Sequence, residues 1–364
     1  MALTMALRAA GWLCLVVAAS WMTPAGRAAR EDRLGLLPEG MSPDAAAFSE
    51  NELYVLHRGT ITVFSLPDVT RRRAFGGSGR GPGKLSPRHQ FDQGLRLAAG
   101  RVLVEDNDKL VSYSQAGRLI GEARKPQNTT WFLPIGDRFV AKSMIVTGRP
   151  PTQIIRAALY DASLHEIAEL YRQPWFQQPA PNGFTTELPG DLLHYAVVGN
   201  RIWVDASPRG FVIEVFDQTG ARVSTIARPY TPLRLTPEER ARQLRAVRQE
   251  KRVAEMVAQT GSWEQLRTIW RFRFPDSVPA IRELQAWGQG AQVRTFERRD
   301  GLVRYVMLDG GGGYARDRWL PEPTDAETEA RVAGTSFFGF VGDWYYYLRL
   351  DSISHRWEVR RTRL

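Results

Sequence analysis

Apolar residues recur along this chain in short paired runs. The first members of the pairs are residues 53–56, 102–104, 139–141, 202–204, 293–296 and 344–347. They are rich in Val, Leu, Ile, Tyr and Trp, and most follow a turn-forming pair such as Gly136-Asp137, Gly199-Asn200 or Gly342-Asp343. This pattern predicts β-strands entered through tight turns. The second members, 63–68, 111–117, 158–163, 215–220 and 306–311, carry an aromatic or apolar residue, then Asp or Ser, with Gly closing most of them. That order predicts a strand running into a hairpin.

The pairs repeat. Phe64, Tyr113, Tyr160 and Phe216 are spaced by 49, 47 and 56 residues, and Leu308 follows 92 further on. A period of roughly 40 to 50 residues with several short strands per repeat is the signature of propeller blades. Six first strands predict an all-β, six-bladed β-propeller over residues 31–364. A sandwich would repeat its strands without the longer period. The last repeat ends too soon to supply an outer strand, and an open edge invites aggregation. Residues 33–37, Arg33-Leu34-Gly35-Leu36-Leu37, are therefore expected to pair there and close the ring.

The long gap predicts a helical insertion between blades 4 and 5, a helical pair over about 236–271. Thr236-Pro237-Glu238-Glu239 and Ser262-Trp263-Glu264-Gln265 both read as helix starts with capping boxes. Leu244, Val247, Ala254 and Val257 follow near helical spacing. The arginines between them form either a basic docking face or a solvated one; interspersed Glu favours the latter.

Five glycines and a proline fall within Phe75-Gly76-Gly77-Ser78-Gly79-Arg80-Gly81-Pro82-Gly83-Lys84-Leu85. A phosphate loop would need Ser or Thr after Gly83-Lys84, where Leu85 stands. A dinucleotide fingerprint would need glycine where Pro82 stands, and then a helix. The stretch reads as a shaped turn between the first two blades.

Residues 1–28 read as a signal peptide: Arg8, an apolar stretch to Met22, then small residues with cleavage after Ala25 or Ala28. An uncleaved anchor is the competing reading. The expected location is therefore periplasmic or extracellular, with no transmembrane span once the signal is removed. The single cysteine, Cys14, lies inside this segment, so the mature chain has neither disulfide nor thiol chemistry. The net charge of +10 rests on scattered arginines. Scatter and export together argue against nucleic acid and leave attraction to anionic surfaces open.

The repeats, the helical insert with its exit Phe274-Pro275-Asp276-Ser277-Val278-Pro279-Ala280-Ile281, and the run Gly79-Arg80-Gly81-Pro82-Gly83 carry a resemblance. The chain looks like the exported six-bladed propellers related to NHL-repeat proteins. Relatives usually carry an acidic residue where Lys84 stands, so no role for that acid transfers. The resemblance implies fold and export, not an activity.

The chemistry is sparse. Histidines 57, 89, 165, 194 and 355 form no ligand pair, and no Gly-x-Ser-x-Gly elbow surrounds a serine. Glu105-Asp106-Asn107-Asp108 lacks the glycine and distal glutamate of a calcium loop and reads as a strand-end turn. No metal and no cofactor are expected. In a propeller, loops from several blades meet at the channel mouth. The ligand-binding candidates there are Arg80, Arg88, His89, Lys142, Asp205 and Arg209, with arginine able to grip an anionic group at two points. Tyr345-Tyr346-Tyr347 alternates rings across a strand, and an exposed one would suit carbohydrate or peptide stacking. The expected function is a monomeric, non-enzymatic binding or scaffold module for an envelope or extracellular protein or an anionic ligand. The alternative is a metal-dependent lyase or hydrolase at the channel mouth.

Overall fold

The structure is a computed structural model that describes residues 31–86, 94–98, 100–190, 193–206, 209–249, 251–321, 337–351 and 353–364. The proposed signal segment, and candidates Arg88 and His89, lie outside the described residues. The described residues form six four-stranded antiparallel sheets and one three-stranded sheet. Sheet one is β2 (Ala45–Phe48), β3 (Glu52–His57), β4 (Thr60–Ser65) and β5 (Arg71–Gly76); β1 (Glu31–Leu36) precedes it in the chain. Sheet two is β6 (Leu95–Ala98), β7 (Arg101–Asp106), β8 (Lys109–Ser114) and β9 (Leu119–Arg124). Sheet three is β10 (Thr129–Ile135), β11 (Arg138–Thr147), β12 (Thr152–Tyr160) and β13 (Glu166–Pro174). After β14 (Gln177–Ala180) and β15 (Gly183–Glu187) comes sheet four: β16 (Tyr195–Val198), β17 (Arg201–Asp205), β18 (Phe211–Phe216) and β19 (Arg222–Arg228). Helices α1 (Pro237–Gln249), α2 (Lys251–Thr260) and α3 (Trp263–Ile269) follow, then β20 (Trp270–Arg273). Sheet five is β21 (Glu283–Trp287), β22 (Gly290–Arg299), β23 (Leu302–Leu308) and β24 (Tyr314–Pro321). Sheet six is β25 (Phe338–Val341), β26 (Trp344–Leu350) and β27 (Trp357–Arg363), completed by β1.

The runs legible in the sequence are the second and third strands of these sheets. They are apolar on both faces because both faces are covered. Tyr54 and Leu56 of sheet one pack on Val102 and Val104 of sheet two. Leu103 of sheet two packs on Phe132 and Ala141 of sheet three. Val140 of sheet three meets Ile202 and Val204 of sheet four, and Trp203 of sheet four meets Ala291 and Val293 of sheet five. Tyr305 of sheet five packs on Tyr345 and Tyr347 of sheet six. Tyr346 and Leu348 of sheet six then pack on Leu53 and Val55 of sheet one. The packing thus returns to its start. Each fully buried large side chain contributes about 1.5–3 kcal/mol.

The terminal pairing matches the expectation. β1 lies antiparallel to β27, with Asp32 opposite Arg361 and Leu36 opposite Glu358. The tyrosine triplet is a correction: Tyr345, Tyr346 and Tyr347 are all buried, because sheet five covers one face of β26 and sheet one the other.

The helical segment also differs in detail. Helix covers Pro237–Gln249, Lys251–Thr260 and Trp263–Ile269, with residue 250 outside the described residues, and Trp270 already belongs to β20, which pairs in parallel with β15. Both expected caps form: the Glu239 N–H donates to Thr236 Oγ1 at 3.2 Å, and the Gln265 N–H to Ser262 Oγ at 3.1 Å. Leu188, Val247, Val253, Trp263 and Leu266 give this subassembly a core of its own.

The glycine-rich turn is structural. Leu85 N–H donates to the Gly77 carbonyl and Gly79 N–H to the Leu85 carbonyl, while the buried Leu85 side chain plugs the seam between sheets one and two. Gly76, Gly77 and Gly83 have φ of +80°, +93° and +65°, which side chains disfavour.

Candidate functional site

Antiparallel pairing sets which ends of the sheets meet. The start of each first strand lies beside the fourth or fifth residue of the antiparallel second strand: Thr130 opposite Lys142, Tyr195 opposite Val204, Glu283 opposite Arg294. Connections from one sheet to the next therefore all arrive at this end. Two of them carry the added elements, and the β15–β20 pairing ties those two together.

At this end, one register position carries charge in four successive sheets. Four residues into the second strand stand Glu105, Lys142, Asp205 and Arg294, with Leu56 and Leu348 at the same position in sheets one and six. Their exposures are 2%, 7%, 0% and 7%. Charges so buried must be paired. Arg96 Nη1 donates to Glu105 Oε1 at 2.6 Å. His194 Nδ1 lies 2.9 Å from Asp205 Oδ2, which also accepts the His194 main-chain N–H. Arg294 lies 3.6 Å from Glu283 and over the Phe338 ring.

Trp131 is the centre of this layer. It sits where the β10–β11 register breaks, and its φ is +67°, an outlier for a bulky residue. Buried groups hold it there. Glu105 accepts the Trp131 N–H at 2.6 Å and the Phe132 N–H at 2.8 Å. The Tyr195 hydroxyl donates to the Trp131 carbonyl. Burial pushes the Tyr195 phenol well above its ordinary value, so it stays a donor. Gly94 leaves room for this arrangement: a Cβ there would meet Arg96 Nη1 at 2.4 Å.

The half-buried indole of Trp131 is flanked by two cations. Lys142 Nζ lies 3.9 Å from its ring centroid, and the Arg96 guanidinium 5.2 Å. Each contact of this kind is worth about 0.5–2 kcal/mol. The outcome is a rigid aromatic platform with positive charge beside it, locked by a carboxylate and a phenol. Backbone strain held by surrounding structure is a recurrent mark of ligand clamps.

The candidates drawn from sequence fall into different settings. Lys142 belongs to the platform, and Asp205 is sealed in the next sheet against His194. Arg209 pairs with the buried carboxylate of Glu214 at 2.5 Å. Arg80 stands exposed in the glycine-rich turn. Trp131, Glu105, Arg96 and Tyr195 were not among the candidates, although aligning the repeats from their turns would have exposed the charged register position. The Glu105–Asp108 stretch does form a strand-end turn, with Asp106 opposite Lys109 and Asp106 Oδ2 accepting the Ser86 N–H at 2.9 Å.

No family model matches the chain, and no curated protein matches it. Among solved structures, BamB from Moraxella catarrhalis is similar with a TM-score of 0.31 and 10% identity, over 87% of this chain and 68% of that one. The Neurospora crassa Pan2 WD40 domain gives 0.37 and 10%, over 91% and 95%. The AfRom2 CNH domain gives 0.39 and 11%, over 92% and 99%. Likenesses this remote carry no argument about function. No helix among the described residues is long and apolar enough to cross a membrane.

Proposed function

We propose that this chain is an exported six-bladed β-propeller of the NHL-like kind, with a helical insertion between its fourth and fifth blades. It acts without catalysis, as a binding or scaffold module for an envelope or extracellular protein or an anionic ligand. The ligand docks at the end where the connections between sheets arrive. The observation that carries this reading is the Trp131 platform, strained in its backbone and flanked by Arg96 and Lys142. An indole supplies stacking area and the adjacent cations supply attraction for carboxylates.

The test is a titration of the mature protein with an oligoglutamate peptide, read by tryptophan fluorescence. A saturable change is expected in the parent and not in W131F, and added salt should weaken it. Equal responses in both proteins, or none at about 1 mM peptide, would rule the platform out. Amino-terminal sequencing of the exported chain tests cleavage after Ala25 or Ala28.

A further inference from the structure

A cavity of about 260 Å³ lies between sheets four and five, lined by none of the platform residues. Phe211, Tyr230 and Val306 give it an apolar wall, and Arg228, Glu297 and Arg304 its charges. Most polar groups here already have partners. Arg304 donates to both Asp317 and Glu297. Thr295 Oγ1 donates to the Arg304 carbonyl at 3.2 Å, and the Tyr230 hydroxyl to the Val278 carbonyl at 3.1 Å.

Two groups are uncommitted. The Arg228 guanidinium sits over the Tyr314 ring, 4.6 Å from its centroid, and no carboxylate among the described residues pairs with it. Its five N–H donors stay available. Glu297 gives only Oε1 to Arg304, leaving Oε2 as an acceptor. Behind it Asp317 Oδ1 is buried with no hydrogen-bond partner. One wall therefore offers an unpaired cation, and another the Glu297 carboxylate, with Asp317 behind the lining and Arg304 bridging the two. Glu297 and Tyr230 line the same cavity, so the carboxylate and the aromatic ring are both presented to it.

A ligand matching this cavity carries both signs of charge and an apolar body. A cavity of about 150 Å³ is enough for benzene, so the volume here takes an aromatic ring together with a short polar end. We propose that the cavity binds a free aromatic α-amino acid as its zwitterion. The α-carboxylate is held by Arg228, the ammonium faces Glu297, and the side chain lies against Tyr230 and Phe211. Guanidinium and carboxylate match in a two-point geometry that lysine could not reproduce.

Calorimetry on the mature protein tests this with three probes: L-phenylalanine, 3-phenylpropionate, which lacks the ammonium, and phenethylamine, which lacks the carboxylate. L-phenylalanine is expected to bind one to one, and each half-ligand at least about tenfold more weakly. R228Q removes no ion pair of the fold, only the contact over the Tyr314 ring, so it should stay folded with at most a small drop in melting temperature while its L-phenylalanine binding falls at least about tenfold. E297Q should weaken L-phenylalanine and spare 3-phenylpropionate. The proposal is overturned by no binding of L-phenylalanine at about 10 mM, by 3-phenylpropionate binding equally well, or by undiminished binding in R228Q.

Discussion

Removing the Glu105 carboxylate should unlock Trp131. In E105A three donors lose their acceptor: the N–H groups of Trp131 and Phe132, and Arg96. A hydrogen bond to a charged group contributes about 1.5–3 kcal/mol net. The three share one carboxylate, so they do not add. Deleting one member of a buried ion pair costs about 3–5 kcal/mol. Two effects reduce that. Arg96 keeps 18% of its side chain in solvent and can be hydrated. Trp131 can also leave its left-handed backbone, recovering part of about 1–3 kcal/mol of strain. The net loss expected for E105A is about 3 kcal/mol, and about half of that for E105Q, which keeps an acceptor oxygen. Against a total stability of about 5–15 kcal/mol both variants stay folded. Urea unfolding measures the losses, and the tryptophan emission of E105A should shift as the indole leaves its two cations. A loss under about 0.5 kcal/mol in E105A, or equal damage in E105Q, would refute the claim that this carboxylate holds the platform.

Other changes probe the sheets. At Gly117 φ is +90° and a Cβ would lie 2.6 Å from Phe75, so G117A should cost about 2 kcal/mol in urea unfolding. Y113F removes a hydroxyl that donates to the Gly83 carbonyl and should cost about 1 kcal/mol. Burial pushes that phenol up to about 12. Its folded value exceeds its unfolded one, so the contribution holds below pH 10 and fades as pH rises through 12; several buried tyrosines ionise late, so the difference between the ultraviolet titrations of the parent and Y113F should show this one among them. Arg73 holds the Glu52 carboxyl below its ordinary 4.5. That depressed value makes its contribution present above pH 4.5 and lost as pH falls through the folded value, so the stability gap between the parent and E52Q should shrink in acid.

The sequence was most informative where both faces of a strand are buried. Val102–Val104 and Ile202–Val204 are continuous apolar runs because neighbouring sheets cover them on each side. The strands that open each sheet, ahead of those runs, leave a weak signal where they are short, as in Ala45–Phe48. The outer strands were missed because they face water: Arg71–Gly76 opens with three arginines, and most of Leu119–Arg124 is exposed. The β14–β15–β20 sheet is local and polar, and its parallel contact joins segments about 85 residues apart in sequence, beyond the reach of any period. Lys142 and Asp205 stand among the channel-mouth candidates as charged residues at strand positions. Trp131 was not, because a left-handed φ on tryptophan leaves no trace in residue order, and Glu105 read as a turn residue until its backbone partners were seen.

The central claim is that sheet six is completed by β1, which brings the first and last described strands together. Asp32 and Arg361 are cross-strand neighbours whose side chains meet at 3.2 Å. Such neighbours lie within disulfide reach. Because Cys14 is the only cysteine, C14S gives a clean background for the pair D32C and R361C. Under mild oxidation the account predicts an intramolecular disulfide in nearly all folded protein, read by mass spectrometry of the linked peptides. Two free thiols after oxidation of the folded protein would contradict it.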